Sequence, residues 1–302
     1  LNDKYKVTLI EKENNFVSCP ISNWVIGQIK NMKDITFSYD KFAKNNNINM
    51  LNQEVKFIDK SKRKVFFDEG FIDYDILILS PGIDLEYSAI KGYDDNIFAG
   101  WKAGKETNLL SKQIKNIKNN QVYLISVPLS PYRCPPGPYE RASLIASFIK
   151  RNSLNSKVIV LDANQKVVSK GSLFKKAWEE LYSDIIEYLP DNRIVEVNSK
   201  EKKAFTEFDE YNFNFANIIP PQKASKLLFD AELIESGRRW AKVNPYTFIS
   251  AADDNIYIIG DSTDASSVGN VPKSGYVAFS MGKVCGYAIH NILLGKTPPN
   301  LL

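Results

Sequence analysis

The chain has 302 residues, 44% hydrophobic and 25% charged, an ordinary globular composition that sets aside collagen-like, low-complexity and disordered classes. At roughly 150 residues per domain the length suggests about two domains. Lys plus Arg (39) against Asp plus Glu (35) leaves a net charge of +4 spread along the chain, which gives nucleic-acid binding little support.

The elements alternate between strands and helices. From Leu1 the chain runs almost at once into a strand, Lys6-Val7-Thr8-Leu9-Ile10, that ends on Glu11. With Leu1 in place of Met and no leader ahead of the strand, the chain reads as a fragment of a longer protein. A loop over 14–23 leads to a helix from Trp24. Hairpin strands follow at 35–39, 49–58, 64–67 and 71–74, with the basic run Lys60 to Lys64 as a solvated tip. The apolar strand 76–79 stops at Ser80-Pro81-Gly82, and a helix is expected over about 102–117. Strand 122–126, a proline-rich loop, helix 139–149 and strand 157–161 make a βαβ unit, hence a parallel sheet with a right-handed crossover. Strand 256–259 runs into Gly260-Asp261 and is followed by a long helix over about 273–294. No run approaches the roughly 18 apolar residues that a bilayer-spanning helix needs.

Residue chemistry narrows the function classes. Three cysteines and one histidine build neither a disulfide framework nor a zinc site, so no metal is expected. The lone His290 would have to serve any Ser-His-Asp triad, and its place late in an apolar helix pattern suits structural duty. Cys285, among Val284, Tyr287, Ala288 and Ile289, reads as a small buried thiol. Between strand 122–126 and the helix after it, a nicotinamide-binding unit would carry Gly-x-Gly-x-x-Gly. This chain instead carries Pro128 to Glu140 with five prolines, which remove amide donors and stiffen the loop. Within it Cys134 sits just ahead of a helix start, a place that lowers a thiol pKa. Glu140 follows six residues on, in reach as a proton donor or acceptor. A preorganised redox thiol and a rigid helix entry with a buried cysteine are both open readings of this loop.

Several pieces resemble flavin-binding enzymes of the glutathione-reductase-like kind. In those folds an acidic residue at a strand end, the place of Glu11, binds the adenosine ribose hydroxyls; a solvated acid is the competing reading. Ser80-Pro81-Gly82 resembles the turn that closes the first domain of that superfamily. Gly260-Asp261 resembles its second flavin signature, with the following helix pointing its positive N-terminus at the flavin. The glycine-rich phosphate loop would lie about 20 residues ahead of Glu11, before Leu1.

The run Cys134-Pro135-Pro136-Gly137-Pro138-Tyr139-Glu140-Arg141-Ala142-Ser143 resembles the signature of the flavoprotein subunits of flavocytochrome c sulfide dehydrogenases. The likeness extends to Ser18 to Asn23, Ala99 to Gly104, Asn217 to Ala224 and Pro272 to Tyr276. It implies an α/β, glutathione-reductase-like FAD/NAD(P)-binding fold with two nested nucleotide-fold-like domains. Residues 1–100 and 225–302 would form the FAD-binding domain, and 101–224 a second βαβ domain carrying the redox cysteine. The implied activity is periplasmic oxidation of sulfide with FAD, the electrons passing to haem on a c-type cytochrome subunit. The resemblance further implies a thioether from Cys19 to the flavin 8α-methyl group; a plain turn cysteine before proline is the other reading. Glu140 would manage protons, and Lys273 and Ser274 would support reduced flavin. Cys134 would be one half of a redox-active disulfide. Its partner in the family follows a segment like Thr297-Pro298-Pro299-Asn300 and is expected beyond Leu302. Two further readings stand beside this one. A sulfide:quinone oxidoreductase would need a membrane-surface apolar element near its C-terminus, and a non-catalytic flavin-binding remnant would not be reduced by sulfide. An NAD(P)H-dependent disulfide reductase ranks third.

Overall fold

The computed structural model describes residues 5–264, 269 and 271–297; Leu1 and residues 298–300 of the segment noted above lie outside these. The helices are α1 (Ser22–Ile26), α2 (Tyr39–Asn45), α3 (Lys105–Lys115), α4 (Gly137–Arg151), α5 (Gly171–Leu181), α6 (Lys226–Asp230) and α7 (Gly275–Leu293). The chain divides into two compact units. One comprises Leu1–Phe16, Phe37–Asp84 and Lys223–Leu302; the other comprises Val17–Thr36 and Leu85–Gln222. Residues 17–36 and 85–100, which the sequence reading assigned to the first domain, thus pack with the second unit.

In the first unit, strand Thr8–Ile10 pairs in parallel with Asn49–Leu51. Strands Phe57–Asp59, Lys64–Phe66 and Phe71–Asp73 form an antiparallel meander, and residues 60–63 are its first turn, as the basic run suggested. Strand Asp253–Ile258 lies parallel to Leu77–Leu79, with Ile256 opposite Leu77 and Ile258 opposite Leu79. Helix α7 buries Met281, Cys285, Ala288 and Ile289, the i, i+4, i+7, i+8 stripe of a helix with one face on a core. Three elements depart from the sequence reading. The loop over 14–23 holds a strand, Asn15–Val17, and the strand expected over 49–58 divides into Asn49–Leu51 and Phe57–Asp59 in different sheets. After Ser38 the chain turns into α2, a helix the hairpin reading did not include. Ser38 caps it, its Oγ accepting from Asp40 N at 3.1 Å.

The second unit is built on a four-stranded parallel sheet in the order Ile186–Leu189, Lys157–Asp162, Val122–Val127, Phe215–Ile218. Helix α4 makes the expected crossover between Val122–Val127 and Lys157–Asp162. Pro138 and Glu140 occupy its first turn and Lys150 and Arg151 its last, which suits the missing donor of proline and the helix dipole. Ala142, Ile145, Ala146 and Ile149 are wholly buried, each isoleucine contributing about 2 kcal/mol by leaving water. On the other face Leu124, Leu161 and Ile218 pack with Val197, Ala204 and Phe213, the last group associated with an antiparallel meander over 196–212.

Candidate functional site

In the first unit the two expected flavin turns are neighbours. Because Leu77–Leu79 and Asp253–Ile258 run in parallel, both strands deliver their following loops to the same sheet edge, the edge where nucleotide folds bind ligands. Ile259 N donates to Leu79 O at 3.0 Å, and Ser262 Oγ donates to Gly82 O. Gly82 and Gly260 adopt φ of +74° and +75°. A side chain added at Gly82 would meet nothing within 4 Å, so its backbone is open to a ligand. Ser80 is exposed and Pro81 half-buried. Glu11 accepts from Glu13 N at 3.0 Å through Oε1 and from Tyr39 Oη at 3.4 Å through Oε2, which leaves carboxylate acceptor sites for ribose hydroxyls. These acceptor sites and the open backbone at Gly82 fit a flavin dinucleotide.

Lys273 and Ser274 serve the chain itself. Lys273 Nζ donates to Asp261 O at 2.9 Å and Thr263 O at 2.7 Å and lies 3.7 Å from the Trp240 ring centroid. Burial pulls its ammonium down to about 8, against the pull of Asp261 and Asp264. Ser274 Oγ caps α7 by accepting from Val277 N at 3.3 Å. Cys285 is buried, while His290 lies exposed in the last turn of α7.

The second unit gathers Cys19, Cys134 and Glu140 around Trp101. The indole Nε1 donates to Arg133 O at 3.1 Å, and the Arg133 guanidinium donates back to Trp101 O. That same carbonyl accepts from Cys19 Sγ at 3.6 Å. Arg133 N donates to Gln222 Oε1 at 2.9 Å and Tyr132 Oη to Pro135 O at 3.0 Å, so the loop is held on both sides of the thiol. Cys134 has φ of +58°, a conformation that costs a non-glycine residue on the order of 1 kcal/mol and persists only where the surroundings impose it. Gly137 makes room for the sulfur: a Cβ there would lie 3.1 Å from Cys134 Sγ and 2.9 Å from Trp101 Cη2.

The expectation of a lowered Cys134 pKa is overturned. The thiol is pushed up to about 11, first by burial, then by the charges of Cys19 and Glu140; Arg133 and Arg141 pull the other way and do not win. Being ahead of a helix start does not compensate for loss of water. Glu140 does not hydrogen-bond the thiol. Its Oε2 accepts from Asn23 Nδ2 at 2.7 Å. From sequence Asn23, Trp101 and Arg141 stood only within matching runs and Arg133 only within the proline-rich loop, and their roles come from contacts more than 30 residues apart in the chain.

At the end of strand Lys157–Asp162, where a nucleotide fold would present its ribose-binding acid, Asp162 is 0% exposed. Its Oδ2 accepts from Tyr139 Oη at 2.7 Å and Tyr188 Oη at 2.9 Å, and its Oδ1 from Asn164 N and Nδ2 at 2.9 and 2.7 Å. Burial raises its pKa although all these donors oppose the shift.

Comparison with known proteins agrees with this architecture. Residues 107–220 match the family described as sulfide dehydrogenase [flavocytochrome c] flavoprotein chain, central. The solved sulfide:quinone oxidoreductase of Aquifex aeolicus superposes with a TM-score of 0.80 at 16% identity, over 96% of this chain and 71% of that one. The fold is that of the FAD/NAD(P)-binding flavoproteins. Among curated proteins, the mitochondrial sulfide:quinone oxidoreductase of Dictyostelium discoideum is 22% identical over 213 residues, 64% of this chain and 45% of that protein. The type II NADH:quinone oxidoreductase of Staphylococcus saprophyticus is 22% identical over 312 residues, 97% of this chain and 77% of that protein. The chain thus spans under half the length of the first of these curated relatives and about three quarters of the second. The proteins it resembles thus include sulfide dehydrogenase, sulfide:quinone oxidoreductase and NADH:quinone oxidoreductase. No helix among the described residues is long and apolar enough to cross a membrane.

Proposed function

We propose that the intact protein is an FAD-dependent sulfide oxidoreductase that works through Cys134. The observation that carries this reading is the Cys134 loop. It is a strained, clamped, half-buried thiol beside Trp101 and a second cysteine, inside the segment that matches the sulfide dehydrogenase flavoproteins. Glu11, Ser80, Pro81, Gly82, Gly260 and Asp261 would hold FAD, with Lys273 and Ser274 ordering the turn and helix behind them. When bound, FAD supplies a two-electron acceptor that can release electrons singly.

The sulfur steps belong to the protein. Hydrosulfide attacks a disulfide formed by Cys134 with a second cysteine. One sulfur–sulfur bond breaks and another forms, leaving a persulfide on one cysteine and a thiolate on the other. Glu140 takes the proton of the hydrosulfide, and the freed thiolate is the group from which FAD, when bound, would accept an electron pair. Cys19 would anchor the flavin through a thioether. The acceptor we favour is a c-type cytochrome subunit in the periplasm, on the likeness of residues 107–220. A quinone is the second reading, favoured by the curated and solved sulfide:quinone oxidoreductases.

The test is anaerobic addition of sulfide to the purified full-length protein, following the flavin band. Bleaching that is reoxidised by cytochrome c supports the first reading, and bleaching reoxidised only by a quinone analogue supports the second. A flavin band untouched by sulfide would overturn both. Colour retained in an acid precipitate, and lost in Cys19→Ser, would assign the covalent link.

A further inference from the structure

We propose that Arg141 is a positioning residue for the thiol site: a buried guanidinium with no carboxylate partner, which fixes the segments around Cys134 and supplies the positive field for its thiolate. The inference rests on the reading of Cys134 as the reacting sulfur.

Arg141 is 1% exposed, and its side chain has five N–H donors in a rigid fork. Nε and Nη2 donate to Asn23 Oδ1 at 3.1 and 3.0 Å, and Nη2 also to Gly100 O at 3.0 Å. Nη1 donates to Ala99 O at 3.2 Å and Asn217 Oδ1 at 2.5 Å. All these acceptors are neutral. The guanidinium also lies 5.0 Å from the Trp101 ring centroid. One side chain of α4 therefore ties down α1, which follows the Cys19 turn, the backbone leading into Trp101, and strand Phe215–Ile218. Asn23 passes the order on, since its Nδ2 donates to Gly137 O at 3.1 Å and to Glu140 Oε2 at 2.7 Å.

A buried charge is normally paired with an opposite one, because the cost of removing it from water is otherwise uncompensated. Here the groups able to carry negative charge around Arg141 are Cys19, Cys134, Glu140 and Tyr123; Arg133 is the other cation near the thiol. Burial leaves Tyr123 protonated well beyond neutral pH. A field with no resident contacting anion is available to one that forms transiently, and the thiolate of the Cys134 loop is such an anion. Lysine could not replace this residue geometrically, since it lacks the planar five-donor fork.

The test reads the proton on sulfur directly. The reduced protein, with 13C-labelled cysteine, is titrated from pH 7 to 11.5 by the Cβ resonances, Cys134 being assigned by its loss in Cys134→Ser and its midpoint fitted from the rising limb of the curve. In Arg141→Met the Cys134 midpoint should rise by about one unit, a tenfold fall in thiolate fraction below the midpoint. Arg141→Lys, which keeps a cation but lacks the fork, should recover only part of that tenfold. Asn217→Asp, which sets a carboxylate against the guanidinium, should raise the midpoint as well, and it decides the matter if Arg141→Met does not fold. Midpoints equal to the parent's in the folded Arg141→Met and Asn217→Asp variants would reduce Arg141 to packing. No sulfide or flavin chemistry enters this measurement, so a flavin indifferent to sulfide would sink the functional reading and leave this result standing.

Discussion

At the residue scale, the sulfur of Cys134 and the carboxylate of Glu140 make separable predictions. Cys134→Ser should abolish sulfide-dependent flavin bleaching while leaving flavin content at the parent's level, because the expected flavin contacts lie on other residues. Glu140→Gln should keep the Asn23 contact through its side-chain oxygen and lose proton transfer, lowering kcat by about a hundredfold. The raised thiol pKa also has a stability consequence. An ordinary thiol near 9 is held at about 11 in the fold, so the unfolded chain loses its proton first as pH rises. The contribution of this group is intact below pH 9 and disappears between about 9 and 11. Urea unfolding at pH 8 and 10.5 should therefore show the parent losing about 2 kcal/mol more than Cys134→Ala. Equal losses would mean that the sulfur is more hydrated than its surroundings indicate. This part of the site was misread from sequence because a helix start is a local feature, whereas burial is set by Trp101 and the turn at Cys19, both distant in the chain.

At the scale of elements, the legible parts were those whose signals are local. The apolar strands 122–127 and 157–162, and the proline, acid and basic ends of α4, announced a βαβ unit in the right place. Helix α2 escaped because its seven residues carry little periodicity; Ser38 followed by Asp40 was the one signal, a capping pattern. Ser38→Ala should destabilise the protein by about 1 kcal/mol, with the faster amide exchange confined to α2. Gly137→Ala tests the opposite case, a glycine needed for close approach. Its methyl would press on the thiol and on Trp101, and a core that must move aside costs roughly 1–3 kcal/mol. If the variant is as stable as the parent and Cys134 titrates as before, the loop is looser than its clamps imply. The network around Arg141 was legible only as residue names, since partners 41 to 118 positions away leave no spacing to read.

At the scale of the molecule, the chain has the architecture of proteins with two nucleotide-binding folds, yet the two units treat their sheet edges differently. The first leaves the backbone at Gly82 open. The second closes Asp162 inside two phenols and an amide. A ribose would have to displace those donors, each hydrogen bond being worth about 1 kcal/mol net and more once broken in a buried place. Millimolar NADH should therefore neither raise the Tm nor bleach the flavin, and Tyr188→Phe should not create binding, because Tyr139 and Asn164 still fill the carboxylate. An NADH-dependent rise in Tm would show that the phenols yield. For a cell, the plugged socket separates supply lines. Such a protein would leave pyridine nucleotides undrained, and under the proposed function its turnover would follow the sulfur available to it rather than the NADH supply of its host.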